Sequence, residues 1–142
     1  LSKLQDYPEK DAKAAIQLQQ IFYRMTKYFI ENFNTANFLT EALYHSKAAS
    51  YFTNYRVQHF IFIRTLIEQA QREGDICSDM NSYEIYTTLQ SILIQPIIIK
   101  NNILQQHKNE PLMDKLKLID VSSESSLQKR LLFLKYKLSL ER

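Results

Sequence analysis

The sequence predicts an all-α fold, and three features carry that prediction. The 142-residue chain has a single glycine, Gly74, where average usage would give about ten. Positions able to take a positive φ are therefore scarce, which excludes tight β-hairpins, a P-loop and the glycine fingerprint of dinucleotide-binding folds. Apolar residues recur at steps of three and four along most of the chain, the period of one helix face. With 45% apolar residues, 23% charged residues and a formal net charge of only +3, residues 1–142 have the composition of one globular domain.

The elements follow in order. Ala15, Leu18, Phe22, Met25, Phe29 and Phe33 form the stripe of a first helix expected over Pro8 to Phe33. Pro8 suits its first turn, and Glu9 and Asp11 suit the positive end of its dipole. Asn34 to Asn37 offer capping side chains for a short second helix carrying Phe38, Leu39, Ala42 and Leu43. A long third helix is expected from Ala48, with Phe52, Tyr55, His59, Phe60, Ile63, Leu66, Ile67 and Ala70 facing inward. It should stop at Gly74, which can take the left-handed C-terminal cap.

Asn81 and Glu84 have capping-box spacing and open a fourth helix over Ser82 to about Gln106. Ile85, Leu89, Ile92, Pro96 and Ile99 lie on one side of it; Tyr86, Leu93 and Ile97 lie on another. Pro96 should kink it by removing the bond to the Ile92 carbonyl. Residues 107–121 read as loop with one short helix after Pro111. Ser122, Ser123 and Ser125 are candidate caps for a last helix with a seam of Leu127, Leu131, Leu134 and Leu138.

The sequence offers little for catalysis. His45, His59 and His107 are far apart, and none has a second ligand at metal-binding spacing. Cys77 is the only cysteine and has no neighbouring His, so neither a disulfide nor an activated thiol is expected. Asp75 and Asp79 read as a solvated loop pair. The expectation is a non-enzyme without metal or cofactor, cytoplasmic, with no signal peptide and no membrane span. Residues 1–80 hold nine basic and nine acidic side chains, so the whole excess charge lies beyond residue 80. Much of it flanks the leucine seam at Lys129, Arg130, Lys135 and Lys137, where it reads as a solvated rim rather than a phosphate track.

The two halves of the chain differ in chemistry. Fifteen of the seventeen Phe and Tyr residues precede residue 87, and Leu and Ile dominate afterwards. Phe22, Tyr23, Tyr55, Phe60 and Tyr86, with Arg56, His59 and Gln90 at compatible helical phases, suit the wall of a cavity for a small apolar or aromatic ligand. Packed core is the competing interpretation of the same rings. In the aliphatic half, Ile92, Pro96 and Ile99 together with Leu127, Leu131, Leu134 and Leu138 suit a two-fold homodimer through a four-helix bundle. The competing interpretation there is a last helix that closes the chain's own core.

The run from Tyr55 to Leu93, YRVQHFIFIRTLIEQAQREGDICSDMNSYEIYTTLQSIL, resembles the regulatory domain of TetR-family transcriptional repressors. Gly74, Asp75, Ile76 and Asp79 match the family's turn after a long helix, and Asn81 to Glu84 match the start of the helix that follows. Phe33 to Tyr44, FNTANFLTEALY, is similar to the family's short helix introduced by an Asn. The resemblance implies a C-terminal effector-binding and dimerisation domain in which a ligand shifts the first and third helices. It also implies DNA binding only through an N-terminal helix-turn-helix head, which nothing before Pro8 supplies. Because the chain opens on Leu1 rather than Met, a processed or truncated product is expected. A helical protein-interaction module using the leucine seam is the alternative.

Overall fold

A computed structural model describes residues 12–32, 46–107 and 109–138, the side chains of 46–56 excepted. The expected short helix around residues 34–46, the first turn at Pro8, and the side chains of Tyr55 and Arg56 lie outside the described residues. Within them the chain is all-helical: α1 (Ala14–Glu31), α2 (Ser46–Arg72), α3 (Ser82–Leu93), α4 (Gln95–Gln106), α5 (Leu112–Leu118) and α6 (Glu124–Leu138). Helix α1 packs on α2, α3 and α4, α2 on α3, α3 on α6, and α4 on α5. Among the described residues no helix is long and apolar enough to cross a membrane.

Helix α1 begins later than its sequence suggests. Lys13 before it is extended, with φ −56° and ψ 149°, and the helix starts at Ala14. A carboxylate still meets the positive end of this helix, but it comes from elsewhere. The Ala14 amide donates to Glu73 Oε1 at 3.4 Å, across 59 residues of sequence, which satisfies one of the orphan donors of the first turn.

Helix α2 ends as its glycine requires. Gly74 has φ +81°. Its amide donates to the Gln71 carbonyl at 3.1 Å, and the Asp75 amide donates to the Ala70 carbonyl at 3.0 Å, the paired bonds of a Schellman cap. Gln71 Nε2 then donates to the carbonyls of Cys77 (3.0 Å) and Met80 (2.8 Å), which holds the connector against the helix it leaves. The Cys77 amide donates to the Leu138 carbonyl at 2.7 Å, tying the same connector to the end of α6. Asn81 and Glu84 form the expected capping box at the start of α3.

Pro96 divides what the periodicity presents as one helix. α3 stops at Leu93 and α4 starts at Gln95, with Ile94 between them. The Ile97 amide turns to the Ile94 carbonyl at 3.1 Å, a tighter three-residue bond. Arg130 of α6 donates through Nη2 to the Leu93 carbonyl at 3.3 Å, and through Nη1 to Ser126 Oγ at 2.8 Å. Burial lowers the pKa of this guanidinium, with the Asp120 charge opposing that shift. Helix α6 is capped by Ser123, whose Oγ accepts from the Ser126 amide at 3.1 Å and donates to Asp120.

The leucine seam corrects one sequence expectation. Leu127, Leu131, Leu134 and Leu138 are 0%, 8%, 4% and 7% exposed within the single chain, in one core with Leu18, Phe22, Leu89 and Leu93. A seam already covered by its own chain offers no surface to a second copy or to another protein. The reason is phase: residues at steps of four, three and four share one face of α6, and α3 lies under that face. The outward face carries Leu132, Phe133 and Tyr136 instead, at 68%, 47% and 77% exposure.

Replacing Leu127 by Ala should therefore cost about 2–5 kcal/mol of unfolding free energy, the usual range for emptying a core leucine site. Leu132→Ala on the opposite face should cost well under about 1 kcal/mol. Urea unfolding of both variants checks this; equal losses would mean that α6 does not sit with its seam inward.

Candidate functional site

Two neighbouring features qualify, one of which was anticipated from the sequence. The first is a polar–aromatic cluster centred on Tyr86. Its ring lies 6.4 Å from Phe22 in an edge-on arrangement, 5.1 Å from Phe60 and 6.1 Å from His59. Such ring pairs are in contact range. The Tyr86 hydroxyl lies 3.2 Å from His59 Nδ1 and accepts from Gln90 Nε2 at 2.9 Å. The consistent direction is Gln90 to Tyr86 to His59: with one lone pair taken by Gln90, the phenol proton is free to go to an unprotonated Nδ1. Helix periodicity builds the chain, because Tyr86 and Gln90 are one turn apart on α3 and His59 faces them from α2.

Of the eight expected ligand-binding residues, Phe22, His59, Phe60, Tyr86 and Gln90 come together here. Phe22 is 1%, Tyr86 6% and His59 7% exposed, so these groups meet one another directly. Tyr23 does not join them. It lies about 100° further round α1 than Phe22, and its hydroxyl reaches both carboxylate oxygens of Glu124 at 3.0 Å. Lys27 Nζ lies 3.3 Å from the same carboxylate. Tyr23 is thus part of a surface strap between α1 and the start of α6. Hydrogen bonding to Glu124 raises its pKa.

The second feature is a cavity of about 280 Å³ that the sequence reading missed. Leu18 and Phe22 of α1, Leu89 and Leu93 of α3, and Leu131 and Leu134 of α6 line it. Asp75 and Ile76, from the turn after Gly74, also border it, as do the exposed side chains of Lys13, Gln19 and Lys135. Its size lies just below the usual range for small-molecule sites, roughly 300–1,000 Å³. Its chemistry is apolar wall with a few polar groups. Asp75 Oδ2 is buried and has no hydrogen-bond partner, whereas Asp79 is exposed, so the two acids do not share one environment.

No spacing rule could have found this hollow, since it exists only where α6 closes over α1 and α3. The available signal was one acid placed directly between a helix-ending glycine and a buried Ile76. Among the described residues no three His, Cys, Asp or Glu side chains are gathered to hold a metal ion. Of the expected dimer residues, Ile99 is exposed and Ile92 and Pro96 are half-buried. No protein-family model, curated protein or solved structure matches the chain.

Burial lowers the pKa of His59 below the ordinary 6.5, because a charged imidazole would lose hydration in the core. The unfolded chain therefore binds this proton more readily than the folded one. The stability that His59 contributes is present in full above the unfolded pKa and is lost as pH falls from there through the depressed folded value. The urea midpoint should accordingly drop between about pH 7.5 and about pH 5, and His59→Gln, which can still meet the Tyr86 hydroxyl, should flatten that drop. An identical pH profile for the variant would show that His59 does not carry the effect.

Proposed function

We propose that this chain is the regulatory domain of a TetR-like transcriptional repressor. It binds a small, largely apolar effector and dimerises, and so controls DNA binding by an N-terminal helix-turn-helix module lying outside these residues. The observation that carries this reading is the cavity between α1, α3 and α6. A guest there touches the first and last described helices at once. It can shift their arrangement only by binding one arrangement better than another, which is the thermodynamic requirement for a sensor. Support from the sequence is the resemblance carried by Gly74, Asp75, Ile76 and Asp79 and by Asn81 to Glu84.

The dimer surface in this proposal differs from a leucine seam. Ile92, Pro96 and Ile99 continue to Ile103 at steps of four, three and four, and Ile99 and Ile103 are exposed at 51% and 37%. Leu132, Phe133 and Tyr136 form the outward face of α6. A second copy covering these apolar groups, with the surrounding lysines left in water, is the occupant that a two-fold regulator calls for.

Sedimentation of the wild-type chain should give a dimer, and Ile99→Asp combined with Phe133→Asp should give a folded monomer. A wild-type monomer, or a dimer that survives both substitutions, would remove this surface from the proposal. In parallel, a thermal-shift screen with small aliphatic and aromatic compounds should raise Tm in a concentration-dependent way, since a ligand of the native state alone stabilises it.

A further inference from the structure

Deepening the sensor reading, on which this inference rests, the hollow has a long axis and a charged end. Glu124 at the start of α6 meets Tyr23 and Lys27 in the second half of α1, whereas the first half of α1 and the second half of α6 line the hollow. The two helices therefore run antiparallel along it, with Leu89 and Leu93 of α3 between them. Residues 15–22 and 131–138 each cover about 10 Å at the helical rise. An extended hydrocarbon of about eight to ten carbons, with bonds of about 1.5 Å, matches that length. Lys13, just before α1, and Lys135, near the end of α6, also line the hollow, and the antiparallel course puts both at the same end. Among the described residues the ion pairs are Lys27–Glu124, Arg64–Glu68 and His107–Glu110, so neither lysine is neutralised by one. Asp75 borders this end too, but its Oδ2 is buried and does not open onto the hollow. Glu73 accepts from the Ala14 amide and is not part of the lining. Two positive charges thus stand against one negative.

We propose that the hollow takes a medium-chain aliphatic carboxylate, its chain against Leu18, Leu89, Leu93 and Leu134 and its head group at the lysine end. Burial of the chain supplies the affinity, in proportion to the apolar area removed from water. The lysines supply the choice of head group. Both are exposed, so their apolar stems can follow the wall while the ammonium groups stay in water. A carboxylate beside them also keeps its hydration and incurs no cost of burial. A neutral alcohol gains nothing from the two charges, and an ammonium is repelled by them. Exposed pairs of this kind are individually weak and are screened by salt, so the preference for the anion is modest and salt-sensitive.

The test compares three probes of equal chain length on the intact chain by calorimetric titration below their aggregation concentrations: n-decanoate, n-decanol and n-decylammonium. Near neutral pH the first is ionised and the last protonated. At low salt decanoate should bind about three- to tenfold more tightly than decanol, and decylammonium more weakly than either. At about 1 M salt, where the screening length falls to about 3 Å, the three should converge. Lys13→Gln combined with Lys135→Gln should bring decanoate to the affinity of decanol. Leu134→Phe, which fills the hollow, should weaken all three. The probe series on the wild-type chain needs no variant and decides the matter even if Leu134→Phe fails to fold. Equal or inverted affinities at low salt, or a decanoate preference that survives the double variant, overturn the assignment to the lysines and leave the apolar sensor site standing. Absence of binding by all three overturns both.

Discussion

The architecture depends on the burial of one face of α6. Leu127, Leu131, Leu134 and Leu138 meet Leu18, Phe22, Leu89 and Leu93 in a single core, and this apolar contact joins the last helix to the first and third. Burying an aliphatic side chain of this size is worth roughly 1.5–3 kcal/mol, far more than the exposed ion pair of Lys27 with Glu124 that bridges α1 and α6 at the surface. The polar contacts between the helices therefore set register, and the leucines supply the attraction. The hollow beside them is a consequence of the same packing: α6 packs on α3, and space remains between Leu18 of α1, Leu93 and Leu134.

Pro96 sets the direction of the chain on the other side of α3. Without an N–H at that position, continuation of the helix loses a bond, and the backbone restarts at Gln95. The break leaves the Leu93 carbonyl available to Arg130, which reaches it from α6. A proline on one helix is thus complemented by an arginine 34 positions later, and the pair ties the break to the helix that closes the core. The same break turns Ile99 and Ile103 outward, so the aliphatic surface that a second copy would cover follows from the change of direction.

The aromatic half resolves into two unlike environments. Around Tyr86, rings and polar tips satisfy one another, and Gln90, Tyr86 and His59 form a directed hydrogen-bond chain with a buried, neutral-favouring imidazole at its end. Phe22, whose ring lies 6.4 Å from that of Tyr86, has a second role as part of the cavity wall. A shift of α1 produced by a guest would thus reach the Tyr86 ring through Phe22, which gives the proposed sensor a physical connection between its hollow and its packed centre.

The sequence by itself determined the helices and their ends. Gly74, the Asn81–Glu84 box, Ser123 and Pro96 act through bonds within a turn or so of their own positions, so their effects can be read from spacing alone. The gathering of His59, Phe60, Tyr86, Gln90 and Phe22 was also legible, because helix phase places each on an inward face. Only the tertiary structure decided which partner each face met. An identical leucine stripe satisfies a neighbouring helix of the same chain or of a twin, and α3 was the nearer. Tyr23 went to Glu124 rather than to the ring cluster, α1 took its N-terminal carboxylate from Glu73, and Asp75 came to border a cavity. Each of these depends on groups brought together across tens of residues, where local periodicity carries no information about distance.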